Sequence, residues 1–179
     1  MGKTLKKVLT IVVTFTMVFS SLIVLKPVNA EDETKTYTIF PTPHEVVYGE
    51  GDFAISDDVN VVYGDAIDSY TKDHTVDVLD LLSKTCTVSE AVSVDKTNII
   101  VGTYNSDDYV DRYFKENILI DNEGLFNKYD SYILSINDGV IAVLGKDTDA
   151  AFHGITSLKH IFTQVKDNNI LNLKINDYA

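Results

Sequence analysis

Apolar and polar positions alternate most regularly in the C-terminal third of the chain. The period of two that marks a half-buried strand occurs at Tyr132, Leu134 and Ile136. Asp138-Gly139 follows, and this dipeptide favours the two positive φ angles of a two-residue hairpin turn. The apolar run 140–144 then returns along the first strand. The pattern predicts an antiparallel β-hairpin.

Four shorter segments also have the composition of strands. Residues 98–102 form a continuous β-branched run that ends in glycine, which predicts a strand buried on both faces. The other three segments are 45–48, 60–63 and 171–175. We expect a turn at Gly49-Glu50-Gly51 and a break at Asp57-Asp58 to separate segment 45–48 from segment 60–63.

Three segments instead have apolar residues three or four positions apart, as amphipathic helices do. Residues 65–83 are expected to begin at an N-capping Asp65 and to bury Ile67, Tyr70, His74, Val78 and Leu81. Ser106 is expected to cap a shorter helix that turns one side inward at Tyr109, Val110, Tyr113 and Phe114. Residues 147–165 carry the longest stripe, at Ala151, Ile155, Leu158, Phe162 and Val165.

Alternating strands and helices together with a hairpin indicate the α/β (α+β) class. We predict one domain over residues 31–179, built as a mixed β-sheet with about three helices packed on it. Of the 179 residues 45% are apolar and 23% charged, which excludes bulk disorder.

Residues 1–30 have the layout of a signal peptide. Lys3, Lys6 and Lys7 form a basic start, an uncharged apolar run covers 8–25, and Val28-Asn29-Ala30 fits a signal-peptidase site. We therefore expect a secreted product that begins at Glu31 and meets the membrane only through this transient segment. An uncleaved membrane anchor is the alternative.

Charge and cysteine content narrow the choice of partners. The chain has 15 basic and 27 acidic residues, and four of the basic ones lie before position 31. Residues 31–179 thus carry a formal charge of −16, which argues against nucleic acid as a partner. Cys86 is the single cysteine, so no intrachain disulfide can form. We expect it to pack as a small apolar side chain, with a reactive thiol as the alternative.

Few residues have the spacing of catalytic or metal sites. The acid pairs Asp57-Asp58 and Asp107-Asp108 could divide acid and base roles, but both lie where turns or a helix start are expected. Asp121-Asn122-Glu123-Gly124 lacks the ligand spacing of an EF-hand. His153 and His160 are two helical turns apart, whereas zinc pairs are one turn apart. His74 is expected to be packed and hydrogen-bonded. The sequence predicts no catalytic, cofactor-binding or metal-binding residue and no cofactor.

Two stretches resemble a known family. The first is the segment Thr38-Ile39-Phe40-Pro41-Thr42-Pro43-His44-Glu45-Val46. The second extends from Tyr129-Asp130-Ser131-Tyr132 through Gly145-Lys146-Asp147 to Ala150-Ala151-Phe152-His153-Gly154 and Ser157-Leu158. They resemble the N-terminal, non-catalytic α/β domain of secreted bacterial β-N-acetylglucosaminidases and hyaluronidases of glycoside hydrolase family 84. Family 20 hexosaminidases share this domain.

The resemblance implies a division of labour within a longer enzyme. A (β/α)₈ barrel follows this domain in the family, and it uses two neighbouring acids together with the 2-acetamido group of the substrate. No residue of this sequence matches those acids, so none is transferred. The implied function is that of an N-terminal accessory domain or fragment of an exported β-N-acetylglucosaminidase, hyaluronidase-like, acting on terminal N-acetylglucosamine of glycans. Its partner is the C-terminal catalytic barrel of the same polypeptide, and the domain alone is expected to be inactive.

Two other functions remain open from the sequence. One is a stand-alone secreted carbohydrate-binding or adhesive module, for which ten tyrosines and no tryptophan are available. The other is a docking domain with no ligand of its own. An in-frame barrel downstream of Ala179 would favour the accessory domain, whereas a stop codon would favour the module.

Overall fold

The structure is a computed structural model that describes residues 36–120 and 122–179. The predicted signal peptide lies outside the described residues, as do Glu31 to Lys35. Within the described part, no helix has the length and apolar character needed to cross a membrane.

Strands and helices alternate along most of the described chain. The strands are β1 (Glu45–Ala54), β2 (Asp58–Tyr63), β3 (Thr85–Ser89), β4 (Asn98–Thr103), β5 (Tyr132–Asn137), β6 (Val140–Gly145) and β7 (Asn169–Asp177). The helices are α1 (Ser69–Asp80), α2 (Tyr109–Asn117) and α3 (Thr148–Phe162), and a 3₁₀ helix covers Glu123–Asn127.

All seven strands join one mixed sheet in the order β1-β7-β5-β6-β4-β2-β3. β6, β4, β2 and β3 are mutually parallel, whereas β5 is antiparallel to both β6 and β7, and β1 is antiparallel to β7. The predicted α+β class and mixed sheet are therefore confirmed.

Helices cover both faces of this sheet and create two cores. The larger core lies under α1 and α3 and includes Ile99, Leu134 and Leu158, and the smaller core lies under α2 and includes Ile100 and Phe114. Successive residues of β4 enter opposite cores, and the whole strand is buried. β4 is a parallel strand in a sheet that helices cover on both sides, so neither of its faces is exposed to solvent. The predicted burial of this strand on both faces is confirmed.

The predicted hairpin is also confirmed. β5 and β6 pair from Tyr132–Gly145 to Asn137–Val140. Asp138 has φ 44° and Gly139 has φ 83°, as the two-residue turn requires.

The long helix α3 buries four residues of the predicted stripe, namely Ala151, Ile155, Leu158 and Phe162. Its N-cap is Asp147, whose carboxylate accepts from the Ala150 N–H at 3.0 Å. Val165 lies beyond the end of the helix and is half-buried against the larger core.

The predicted start and stripe of α1 are wrong in part. Asp68 rather than Asp65 is the N-cap, accepting from the Thr71 N–H at 2.8 Å. Tyr70 and Leu81 are exposed, and the helix buries Thr71, Thr75, Val78 and Leu79 instead. The two threonines are tolerated inside because the Thr75 hydroxyl donates to the Thr71 carbonyl and Thr71 Oγ1 lies 3.3 Å from Thr148 Oγ1 of α3.

Two other local predictions need correction. Gly49-Glu50-Gly51 is not a turn between strands but an irregularity within the long strand β1, and Asn172 Nδ2 of β7 donates to the Glu50 carbonyl there at 2.8 Å. Asp108 rather than Ser106 caps α2, because its carboxylate accepts from the Asp111 N–H at 2.9 Å.

Candidate functional site

A stack of three aromatic rings lies on the outer surfaces of α1 and α3. The Phe152 ring of α3 lies 5.1 Å from the Tyr70 ring and 4.3 Å from the His74 ring, both of α1, with interplanar angles of 14° and 25°. Tyr70 is nevertheless 70% exposed. We call Tyr70, His74 and Phe152 the aromatic stack. His74 and Phe152 are half-buried, so Tyr70 is the ring of the stack that is largely open to another molecule.

His74 is held in the stack by hydrogen bonding as well as by ring contact. The Thr156 hydroxyl donates to the Phe152 carbonyl at 3.0 Å, and His74 Nε2 lies 3.3 Å from the Thr156 oxygen. Burial, assisted by the Lys159 ammonium, lowers the pKa of His74, which favours the neutral imidazole. The prediction that His74 is packed and hydrogen-bonded is confirmed, although the side chain is only half-buried.

A cleft of about 300 Å³ lies between α3 and residues 36–44, the entry segment that precedes β1. Three hydrogen bonds fix this segment at the C-terminal end of α3. Gln164, just beyond the helix, accepts from the Thr38 N–H at 2.9 Å and donates to the Thr38 carbonyl at 2.8 Å, and His160 Nδ1 accepts from the Phe40 N–H at 3.4 Å. We call the opening the entry cleft. Its lining includes Phe40, His44, Tyr132, His153, Asp177 and Tyr178.

Asp177 is the centre of the polar contacts in the entry cleft. Its Oδ1 accepts from the His44 backbone N–H at 3.1 Å and from His44 Nδ1 at 2.8 Å, and its Oδ2 accepts from the Tyr132 hydroxyl at 3.1 Å. Ser157 Oγ lies 2.7 Å from the same hydroxyl. Since Tyr132 donates its one proton to Asp177, Ser157 donates to Tyr132. Burial raises the pKa of Tyr132 well above its usual range, so the hydroxyl stays protonated.

The last residues of the sequence lie along the same cleft. The Tyr178 ring stacks on His44 at 3.7 Å between centroids, and Lys128 Nζ lies 3.4 Å from the centre of the Tyr178 ring. The Ala179 N–H donates to the Tyr129 carbonyl at 2.9 Å. These contacts set the direction in which the backbone leaves β7.

The Asp57-Asp58 pair makes surface ion pairs and hydrogen bonds. Asp57 is exposed and pairs with Lys84 Nζ at 2.9 Å. The Lys96 ammonium and the Thr87 hydroxyl bind Asp58 and lower the pKa of its carboxyl group.

Asp108 of the Asp107-Asp108 pair lies at the ends of β2 and β4, from which the chain continues to helices on opposite faces of the sheet. In α/β sheets a crevice for ligands often opens at such a point. Here the Asp108 carboxylate occupies the space between β2 and β4, accepting from the Asp65 and Asp111 N–H groups, each at 2.9 Å. A Cβ on Gly64 would lie 2.6 Å from Asp108 Oδ2, which is too close for van der Waals contact. Asp108 and Gly64 therefore leave no room for a ligand between them. Asp107 is exposed.

The other candidate residues are dispersed. His153 is exposed at the entry cleft, whereas His160 lies farther along α3 and contacts the entry segment. Asn122 and Gly124 lie at the start of the 3₁₀ helix, and Asp121 falls outside the described residues. Across 36–120 and 122–179, no three His, Cys, Asp or Glu side chains are grouped so as to hold a metal ion. Cys86 packs, half-buried, against the larger core as expected.

Sequence reasoning missed the aromatic stack and the entry cleft as sites. Both are assembled from segments that are far apart in the chain, so local spacing gave no signal. The prediction that Tyr70 faces inward also hid the stack.

The mixed sheet, its helix layers and the closed crevice define an α+β domain. The family model for glycosyl hydrolase family 20, domain 2, matches residues 36–178, so the chain belongs to that family. It is the accessory domain found in enzymes of families 20 and 84, and the resemblance to that domain is confirmed.

Solved structures share this fold. CpGH84D is 40% identical with a TM-score of 0.79, and the match covers 81% of this chain and 24% of CpGH84D. CpGH84B is 21% identical with a TM-score of 0.59, covering 79% of this chain and 22% of that one. The exo-β-N-acetylglucosaminidase of family 20 from Vibrio harveyi shares the fold at 13% identity and a TM-score of 0.54, over 78% of this chain and 19% of that one. The chain therefore spans about a quarter of the length of the structures it matches.

Proposed function

We propose that this chain is the N-terminal accessory part of an exported β-N-acetylglucosaminidase, hyaluronidase-like, that removes terminal N-acetylglucosamine from glycans. The observation on which this proposal depends is the match to CpGH84D, which is 40% identical over 81% of this chain but only 24% of the solved structure. A domain that belongs to a hydrolase family, yet forms a quarter of its relative, is best explained as one part of a larger enzyme. Catalysis is assigned to a C-terminal barrel of the same polypeptide.

The state of the acidic residues supports this assignment. Glycoside cleavage needs an acid that can protonate the leaving oxygen and a nucleophile on the opposite side of the sugar. Asp108 instead caps α2, and Asp58 is bound by Lys96 and Thr87. Asp177 is engaged through both oxygens by His44 and Tyr132. Asp58 and Asp108 lie outside the entry cleft, and Asp177, which lines it, is held by these hydrogen bonds rather than directed at a bound sugar.

Export is a second part of the proposal, and it rests on the sequence. The basic start, the apolar run and Val28-Asn29-Ala30 favour cleavage before Glu31 and secretion of the product.

The test compares residues 31–179 with the polypeptide translated from the whole reading frame, using an aryl N-acetyl-β-glucosaminide as substrate. We expect no turnover by residues 31–179 and turnover by the whole polypeptide. Turnover by residues 31–179 that is lost in the Asp107→Asn/Asp108→Asn variant would refute the assignment of catalysis to a barrel. A reading frame without a glycosidase domain would refute the accessory role.

A secreted carbohydrate-binding or adhesive module is the second candidate, and one observation favours it. Phe40 is 78% exposed beside the entry cleft, as the platform of a sugar-binding site would be. Calorimetric titration of residues 31–179 with N-acetylglucosamine oligosaccharides tests this candidate. Saturable heat that disappears in Phe40→Ala would support it over the accessory role.

A further inference from the structure

We propose that a cleft on the α2 side of the sheet binds a neutral sugar residue of a glycan. The cleft has a volume of about 330 Å³ and lies between α2, the end of the β5–β6 hairpin and β7. We call it the hairpin cleft. It is separate from the entry cleft, which lies against α3 on the opposite face of the sheet. The proposal goes beyond the proposed function, because it assigns a ligand to the accessory domain itself.

The floor of the hairpin cleft is polar, although it lies on a sheet. Side chains of β5 alternate between the two faces, and those on the α3 side are buried from Tyr132 to Ile136. On the α2 side Ile133 is buried, but Ser135 is half-buried and Asn137 is exposed. α2 packs on β4 and β6, so it leaves this end of β5 open. The polar side chains therefore face the cleft.

Several hydrogen-bonding groups of the hairpin cleft are not used by the domain. The Ser135 hydroxyl makes no hydrogen bond to the part of the chain that the structure describes. Asn117 and Asn137 use their amide nitrogens, which donate to the Tyr113 carbonyl at 3.0 Å and to Asp138 Oδ2 at 3.2 Å. Their amide oxygens accept no hydrogen bond from residues 36–120 and 122–179. Because a sugar hydroxyl both donates and accepts, hydroxyl and amide groups together match it.

Tyr113 and Val140 supply an apolar part of the lining. Both are half-buried and pack against the smaller core. Burial raises the pKa of Tyr113, so its hydroxyl stays protonated and is able to donate. Ligand sites typically combine apolar walls with a few polar groups that fix the orientation of the ligand. A sugar ring has the matching character, because C–H groups form its faces and hydroxyls form its edge.

The charge of the hairpin cleft favours a neutral ligand. Lys174 and Asp138 are the two charged residues in the described lining, and their charges are opposite. Lys174 lies opposite Ser135 in the sheet, and its ammonium donates to the Leu119 carbonyl at 2.7 Å. Residues 31–179 carry a formal charge of −16, which repels an anionic ligand.

NMR titration of residues 31–179, with the backbone amides assigned, tests the hairpin cleft. The probes are a trisaccharide of N-acetylglucosamine, a trisaccharide of glucose, and glucuronate, each added to about 50 mM to detect millimolar dissociation constants. We expect a neutral trisaccharide to cause saturable shifts at Asn117, Ser135 and Lys174. Shifts confined to the entry cleft, or no saturable shift with either trisaccharide, would overturn the proposal. Binding of glucuronate as tight as that of the trisaccharides would contradict a neutral ligand.

Substitutions provide a second test with matched controls. Ser135→Ala is compared with Ser93→Ala, because both serines are half-buried and Ser93 lies outside the hairpin cleft. Loss of one hydrogen bond should weaken sugar binding about two- to tenfold in Ser135→Ala and leave it unchanged in Ser93→Ala. Tyr113→Leu should weaken binding as well, whereas Tyr129→Leu changes an exposed ring outside the cleft and should not. An affinity that neither Ser135→Ala nor Tyr113→Leu lowers would count against the site.

Two further outcomes separate this proposal from its competitors. Binding that is lost in Phe40→Ala would place the sugar at the entry cleft and overturn the hairpin cleft as the site. Shifts of the Asn117 and Ser135 amides that grow with protein concentration in the absence of sugar would make a second copy of the chain the occupant.

Failure of the proposed function is distinguishable from failure of this proposal. Sugar binding is measured on residues 31–179 without a barrel, so it does not depend on glycosidase activity. If the hairpin cleft binds no sugar, the whole polypeptide still hydrolyses the aryl N-acetyl-β-glucosaminide as the proposed function requires.

Discussion

Leu158→Ala is the sharpest test of the packing of α3 on the larger core. Leu158 is fully buried in α3, within the larger core that the helix shares with the sheet. Burial of a leucine side chain stabilises a protein by about 1.5–3 kcal/mol. Truncation to alanine removes that contribution and leaves a cavity that a packed sheet fills poorly. The expected loss is therefore about 2–5 kcal/mol of unfolding free energy.

Urea and thermal denaturation of residues 31–179 measure this loss. A domain of this size loses about 2–4 °C of melting temperature per kcal/mol, so the transition should fall by roughly 5–20 °C. Leu119→Ala is the matched control, because it makes the same chemical change at a side chain that is 73% exposed. It should alter the unfolding free energy by no more than about 0.5 kcal/mol. Equal effects at the two positions would refute the packing of α3 described here.

Further predictions concern the helices and the predicted cleavage site. Gly154→Ala would place a Cβ 2.5 Å from Val143 Cγ1, so we expect denaturation to report a net loss despite a gain of about 1 kcal/mol in helix propensity. A more stable variant would mean that α3 does not approach the sheet so closely. Asp108→Ala removes the acceptor of two N–H groups and should cost at least about 0.5–2 kcal/mol, whereas Asp108→Asn keeps one acceptor oxygen and should cost less. The pKa of His74 is lower in the folded state than its ordinary 6.5, so the unfolded chain takes up the proton first and stability is lost as the pH falls below that value. His74→Gln should flatten this dependence in denaturation curves between about pH 7.5 and 5.5. N-terminal sequencing of secreted protein should begin at Glu31, and an intact Met1 form in membranes would contradict cleavage.

Elements with a strong local signal could be predicted from the sequence. The hairpin at Asp138-Gly139 follows from turn chemistry, and β4 follows from an uninterrupted β-branched run. The buried stripe of α3 follows from apolar residues that lie three or four positions apart. In each case the local preference agrees with the tertiary contacts.

Elements whose bounds depend on contacts with residues far away in the chain could not be predicted in this way. β1 continues through Gly49-Glu50-Gly51 because β7 pairs with it on both sides of the irregularity. α1 begins at Asp68, whose carboxylate accepts from the Thr71 N–H, whereas the Asp65 N–H donates to Asp108, 43 positions later. β3 is a short edge strand whose residues are mostly exposed, so its apolar pattern is weak.

The candidate site belongs to this second group. The entry cleft brings residues 40–44 together with 130–132, 153–157 and 177–179. No spacing rule relates four segments so far apart. The sequence could indicate only the family, through motifs that include residues of three of these segments.

The place of β7 in the sheet has a consequence for the order of assembly. β7 is the last strand of this sheet to be synthesised, yet it lies between β1 and β5, and within the described chain it is the strand with which β1 pairs. Glu45 meets Asn176 only after 131 further positions have been added. Until then β1 has no neighbour, and the larger core lacks Ile170, Leu173 and Ile175. Long-range pairing of this kind is slow to form. The sheet of a nascent chain therefore stays incomplete until β7 emerges, so the larger core of this domain closes late.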